Sequence, residues 1–139
     1  MAAGPTEPAT LTGIAHIALT VRHLPTSVAW YRDVLELAVL AEFSEDGQAR
    51  HKAILGNDTI LLGLVQHSVA SDGAFDETRV GLDHLAFAVP AGTIERWAAR
   101  LDQLGIPHSP IAPSVLQPDL RVLVFRDPDA IQLEFFEAN

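Results

Sequence analysis

Two histidines and one glutamate stand where this chain could do chemistry. His16 lies within Gly13-Ile14-Ala15-His16-Ile17-Ala18-Leu19-Thr20-Val21, and 68 positions on His84 lies at the same point of Gly81-Leu82-Asp83-His84-Leu85-Ala86-Phe87-Ala88-Val89. A single histidine in an apolar strand is usually a packed core residue, but the same histidine at the same point of a duplicated strand points to a paired role. The third residue, Glu134, sits in Gln132-Leu133-Glu134-Phe135-Phe136. An unpartnered charge among such neighbours would be expensive to bury. On an edge strand it would simply alternate to solvent with Gln132. Two imidazoles and a carboxylate on one face of a divalent ion leave its other positions open, an arrangement that suits iron(II), manganese, zinc, nickel or cobalt.

The elements that must position these residues also come twice. After the first apolar strand, Leu24-Pro25-Thr26 opens a helix in which Val28, Tyr31, Val34 and Leu35 recur at helical spacing. After the second, Thr93 to Leu104 places Ile94, Trp97, Ala98, Leu101 and Leu104 on one stripe, and Gly105 stops it. Three strand signals follow each helix: Val39 to Phe43, Arg50 to Leu55 and Thr59 to Val65, then a stretch near Ser114, Arg121 to Phe125 and Ile131 to Phe136. The turns Gly56-Asn57-Asp58 and Asp127-Pro128-Asp129-Ala130 align Arg50 with Arg121 and Gly63 with Glu134. His16, Gly63, His84 and Glu134 are therefore four equivalent positions, one of them empty. The expected fold is α+β: two βαβββ modules, residues 13–66 and 81–139, pairing their sheets around a central metal or ligand cavity as one domain. Residues 1–12 read as a disordered tail and 67–80 as a linker.

The totals exclude several roles. A formal charge of −9 repels a phosphate backbone, so nucleic acid is not an expected partner. No run approaches the roughly 18 unbroken apolar residues of a membrane span, and the start has neither a basic nor an apolar targeting region, so a cytoplasmic protein with no membrane partner is expected. Without cysteine there is no disulfide, thiolate ligand or cysteine nucleophile, and a metal would rest on His, Asp, Glu, backbone or water.

The two histidine strands, Ala29-Trp30-Tyr31-Arg32-Asp33-Val34-Leu35 and Phe125-Arg126-Asp127-Pro128-Asp129-Ala130-Ile131-Gln132-Leu133-Glu134 resemble the recurring segments of the vicinal oxygen chelate superfamily, the glyoxalase, bleomycin-resistance and extradiol-dioxygenase group. The resemblance spans nearly the whole chain. It implies a metal held by His16, His84 and Glu134, with iron(II) the first choice, a small-molecule substrate and a homodimer. It does not choose a reaction, because the family reuses one scaffold for many.

The departures from the family narrow the choice. Glyoxalase-like members carry a carboxylate where this chain has Gly63, and glycine can neither ligate through a side chain nor take a proton. Fosfomycin-resistance members carry a threonine where this chain has Ala18, and basic residues where Pro107 to Leu120 has none. Extradiol dioxygenases share the three-ligand pattern but add a tyrosine near Val124 and a further histidine. His51 and His67 are the candidates for that acid-base role. His51, next to Lys52, reads more readily as an exposed sheet residue, and His67 lies four residues from Gly63, about 13 Å along a strand. Oxygen-dependent cleavage of a small bidentate, catechol-like substrate is thus the first expectation. A redox-neutral lyase or isomerase is the second, and a metal-independent binding or resistance protein the third.

Overall fold

A computed structural model of the chain describes residues 4, 6–69 and 73–138. The first module runs β1 (Ile17–Thr20), α1 (Leu24–Leu35), β2 (Ala38–Glu45), β3 (Arg50–Gly56) and β4 (Leu61–His67). The second runs β5 (Leu85–Pro90), α2 (Ile94–Gln103), β6 (Ala112–Pro113), β7 (Arg121–Arg126) and β8 (Gln132–Ala138). Each is a four-stranded sheet carrying one helix, in the orders β1-β4-β3-β2 and β5-β8-β7-β6. The fold is α+β with two βαβββ modules. Among the described residues no helix is long and apolar enough to cross a membrane.

Local sequence explains the helix limits. At α1, the His23 side chain accepts from the Thr26 N–H, satisfying one of the free donors at the helix start, with proline in the first turn. At the end of α2, Gly105 takes φ +68, a left-handed turn that glycine adopts without penalty, and its N–H bonds Asp102. Strand alternation then decides which side chains meet the helices. In the first sheet Leu19, Ala53, Leu55, Leu62 and Leu64 enter the core; in the second Phe87, Leu123, Phe125, Leu133 and Phe135 do. Each sheet thus keeps one face under its helix and one face open.

The modules meet through the helix side of the molecule. Trp30 of α1 stacks on Phe125 of β7, with ring centroids 6.2 Å apart. The Tyr31 hydroxyl, fully buried, donates to Asp127 Oδ2 at 2.8 Å. The Arg100 guanidinium of α2 donates to the Val34 and Asp33 carbonyls at 2.9 and 2.5 Å, closing the end of α1.

Three sequence expectations change. The histidine strands are shorter than residues 13–21 and 81–89, because ladder pairing starts only at Ile17 and Leu85, leaving His16 and His84 just before their strands. The strand near Ser114 shrinks to two residues. The alignment of Arg50 with Arg121 is off by one. Gly63 pairs with Ile54 while Glu134 pairs with Val124, so Arg121 corresponds to His51. The second turn holds one more residue: Asn57 bonds Ile60 across the first, Asp127 bonds Ile131 across the second, and Ala130 takes φ +62 within the longer one. Of the expected tail, residues 6–12 are exposed and carry neither strand nor helix, while residues 1–3 and 5 lie outside the described residues. Residues 70–72 of the expected linker and residue 139 lie outside them too.

Candidate metal centre

The second sheet brings His84 and Glu134 together on its open face. Glu134 stands in the middle of β8, laddered between Ala86 of β5 and Val124 of β7. Leu85 pairs with Leu133, so His84 falls one step earlier on the face that Ala86 and Glu134 share. The result is a separation of 3.8 Å between His84 Nε2 and Glu134 Oε2. The other ring nitrogen, Nδ1, lies 2.7 Å from Asp83 Oδ1. An ionised carboxylate only accepts, so Nδ1 carries the hydrogen, and in the neutral ring Nε2 keeps a lone pair on the Glu134 side. Sequence reasoning missed Asp83. Its position directly before His84 was the available signal, since a carboxylate on the far nitrogen is the usual partner of a metal-bound imidazole.

The first sheet presents the equivalent pair differently. Ala18 pairs with Gly63, so His16, two residues earlier, lies on Gly63's side of the sheet, and its side chain is exposed. A Cβ on Gly63 would come within 3.3 Å of the Ala18 Cβ, so β1 and β4 are closely set there. His16 lines a recess of about 200 Å³ with Leu61, Ala86 and Ala88, which includes neither His84 nor Glu134. Among the described residues, no group of three or more histidine or acidic side chains is placed to hold one ion. One chain therefore brings two of the three expected ligands together and leaves His16 apart.

The two proposed acid-base histidines divide. His51 pairs with Gln66 and shares the helix side with Ala53 and Leu55, the face opposite Gly63. There its Nδ1 lies 2.8 Å from the Ser44 hydroxyl. The register removes His51 from the candidate site. His67 ends β4 on Gly63's face, paired with Arg50. It also lines a cleft of about 520 Å³ along the free edge of β1, with Val69, Phe75 and Leu82.

Charge elsewhere is held by specific partners. Arg121 binds Glu95 and Glu137, and its hydrogen bonds bring the Glu137 carboxyl down to about 2. Burial pushes the Asp127 carboxyl up, although Tyr31 and two backbone N–H groups oppose the shift. Both groups lie away from the His84–Glu134 face and belong to the architecture.

Comparison with known proteins agrees with the fold. The profile of the glyoxalase/bleomycin resistance protein/dioxygenase superfamily matches residues 13–135. A crystallised glyoxylase/bleomycin resistance protein/dioxygenase domain from Frankia sp. EAN1pec is 32% identical, with 94% of each chain covered and a TM-score of 0.83. A glyoxalase family protein from Enterococcus faecalis is 26% identical, covering 91% of this chain and 98% of its own, with a TM-score of 0.76. The fosfomycin resistance protein FosX from Listeria monocytogenes, crystallised with Mn(II) and sulfate, shares the fold at 14% identity, 94% and 95% coverage and a TM-score of 0.69. No curated protein matches the sequence. With the duplicated modules, the register of the four equivalent positions and a profile match over most of its length, the chain belongs to the glyoxalase/bleomycin resistance protein/dioxygenase superfamily.

Proposed function

We propose that this chain is a metal-dependent enzyme acting on a small substrate that chelates through two oxygen atoms, with His16, His84 and Glu134 as protein ligands. The observation that carries the reading is the Asp83–His84–Glu134 arrangement, with distances of 2.7 Å on one ring nitrogen and 3.8 Å on the other. A lone pair and a carboxylate oxygen meet at one exposed point of an otherwise apolar strand pair, and that donor set fits a divalent cation.

His16 completes the set from a second copy of the chain, in a homodimer. Support comes from the open face of the first sheet, where Leu61, beside His16, and Phe43, on the far edge strand β2, are each 42% exposed. Large apolar side chains left on a face of this kind mark an interaction surface. A twofold pairing that lays each copy's first sheet over the other's second sheet would cover them and give two equivalent sites.

Bound iron(II) would supply Lewis acidity and electrons to dioxygen. The chain's own contribution is positional. Asp83 fixes the His84 ring. Ala86, Ala88 and Val124 make a low apolar floor around Glu134, and Gly63 with Ala18 leaves space for substrate oxygens. His67 stands as the candidate proton donor on the first sheet's face. Oxygen-dependent cleavage follows from a three-ligand site with vacant positions.

A redox-neutral lyase or isomerase is the second reading. It is favoured by Val124, an aliphatic residue on Glu134's rung where ring cleavage would use an acid, and by the Mn(II) with which the related FosX was crystallised.

The test is oxygen uptake by protein purified anaerobically with iron(II), using a panel of catechols. Uptake that is lost in His84→Ala supports cleavage. No uptake together with tight manganese, zinc or nickel binding moves the assignment to the lyase or isomerase. A native protein without metal, whose ligand binding is unchanged in His84→Ala, would make it a binding protein.

A further inference from the structure

The segment that joins the two modules reaches His84 through an unbroken series of hydrogen bonds. Glu77 receives both terminal nitrogens of Arg126, Nη1 at 3.2 Å and Nη2 at 2.8 Å. Nη2 also donates to Gln132 Oε1 at 3.2 Å. Gln132 Nε2 donates to the Asp83 carbonyl at 3.2 Å and to Asp83 Oδ1 at 3.3 Å. The same Oδ1 receives His84 Nδ1 at 2.7 Å. The register makes this reach possible: Arg126 and Gln132 are ladder partners, and His84 sits one rung beyond the Leu85–Leu133 pair, next to Gln132.

Every link has only one allowed polarity. Arginine donates and cannot accept, so the glutamine must turn its oxygen to Arg126 and its nitrogen to Asp83. The ionised Asp83 accepts and cannot donate, so the ring hydrogen must be on Nδ1. Glu77 is the acceptor that holds Arg126 at the start of the series; that guanidinium keeps the Glu77 carboxyl below its usual range. Asp83 therefore sets the ring hydrogen on Nδ1, and Gln132, Arg126 and Glu77 hold that carboxylate in place behind His84.

We propose that Glu77, Arg126, Gln132 and Asp83 form a positioning relay that sets the tautomer and orientation of His84, so that the crossover segment tunes metal affinity. The proposal rests on the reading of His84 and Glu134 as ligands. None of the four relay residues is among the proposed ligands, so all act through His84. A purely structural role, in which Glu77 and Arg126 merely pin the segment, would leave the imidazole unaffected by changes at Gln132 or Glu77.

The experiment uses the full chain with two readouts. One is ¹⁵N NMR of the imidazoles in metal-free protein near pH 8, with the His84 signals identified by their loss in His84→Gln. The other is Mn(II) affinity measured by titration with EPR detection. Wild type is expected to hold His84 as the Nδ1–H tautomer. Gln132→Leu should mix the tautomers and weaken Mn(II) binding by roughly 10- to 100-fold, the range typical of partners behind a metal ligand. Glu77→Gln should shift both readouts the same way by less. If both variants melt like wild type and keep its tautomer and Mn(II) affinity, the relay is overturned. Should Gln132→Leu fail to fold, Glu77→Gln decides alone, because its side chain is 34% exposed and outside the core. If wild type and His84→Ala bind Mn(II) equally, the ligand assignment falls instead, and the metal-free tautomer still decides the relay.

Discussion

The two modules share one frame and differ where that frame could hold a ligand. In the second, His84 follows Asp83, faces Glu134 across 3.8 Å and has its other ring nitrogen bonded to Asp83. In the first, His16 follows Ala15, no hydrogen bond of its ring is found among the described residues, and the position matching Glu134 is Gly63. Duplication supplied the same scaffold twice, and the halves then diverged. One became a built pair of donors with a support behind it, and the other a single donor beside an opening. Glycine at position 63 leaves the first module without a carboxylate at the place where the second has Glu134.

The largest expected effect tests that division directly. His84→Ala should weaken Mn(II) binding more than roughly 100-fold, since losing a ligand exceeds the roughly 10- to 100-fold loss seen for the partners behind one. His16→Ala should cost less, because His84 and Glu134 still meet within one chain. Equilibrium titration of both variants decides the matter. Equal affinity for His16→Ala and wild type would remove His16 from the site, and a larger loss at His16 than at His84 would reverse the comparison.

Gly63→Glu would make the halves alike. Its backbone is outside the left-handed region, so the obstacle is the 3.3 Å approach to the Ala18 Cβ, which must yield by a few tenths of an ångström. Overpacking of that size costs about 1 kcal/mol, and Ala18→Gly in the same chain should relieve it. A fourth protein ligand should raise zinc or nickel affinity by roughly tenfold, equivalent to about 1.4 kcal/mol, and suppress oxygen uptake. Unchanged metal affinity with a folded protein would show that position 63 does not face the ion.

How far the sequence reveals this molecule follows from the repeat itself. Residues separated by a constant offset along strands β1 and β5, and along β4 and β8, match correctly because ladder parity is strict: one step moves a side chain to the other face. The same strictness makes one error costly. A single extra turn residue, marked by Ala130 with φ +62, shifts β7 against β3, so that Arg121 matches His51 rather than Arg50. A left-handed alanine leaves little trace in a sequence, where glycine or asparagine would have marked it. The separation of His16 from the other pair is not legible either. It depends on where the two sheets sit in the fold, and the strand pattern says only that each sheet has an open face. Asp83 is legible in principle, being adjacent to His84, but strand parity assigns neighbours to opposite faces and so gives it no place beside the ligands.

The joint between the modules is a second place where they diverge. Tyr31 corresponds to Ala98 in the repeat, and Asp127 to Asn57. Asn57 serves only its own turn, accepting from the Thr59 and Ile60 N–H groups. Asp127 does the same for Asp129 and Ile131 and also takes the Tyr31 hydroxyl at 2.8 Å, so the coupling runs one way. Tyr31→Phe removes a donor from a buried carboxylate and should cost about 1–3 kcal/mol in urea unfolding. Asn57→Ala, exposed and local, should cost less. A Tyr31→Phe loss below that of Asn57→Ala would show that the modules are held mainly by apolar contact, with Trp30 on Phe125 the first contact to truncate.

The smallest effect concerns one role played by an amide in the first module and by a charge in the second. Gln66 and Glu137 occupy equivalent positions, three residues past Gly63 and Glu134. Gln66 accepts the Leu24 N–H at 2.6 Å, and Glu137 accepts the Gly92 N–H at 2.5 Å, so each secures the chain entering its helix. Only Glu137 adds an ion pair, to Arg121 at 2.7 Å. That contact lowers its carboxyl from the ordinary 4.5 to about 2. A carboxyl depressed on folding contributes stability that is complete above its unfolded value and is lost as pH falls through the folded one. The contribution of Glu137 is therefore full above pH 4.5 and fades between 4.5 and about 2. Glu137→Gln turns the second module's device into the first module's. It should lower the midpoint of thermal unfolding slightly at pH 7, with the difference from wild type closing as pH approaches 2. Gln66→Ala should lower it by an amount that does not vary over that acid range, because an amide does not titrate. If Glu137→Gln kept a constant offset from pH 7 to pH 2, the helix-entry hydrogen bond alone would account for Glu137, and the two modules would be equivalent at this position.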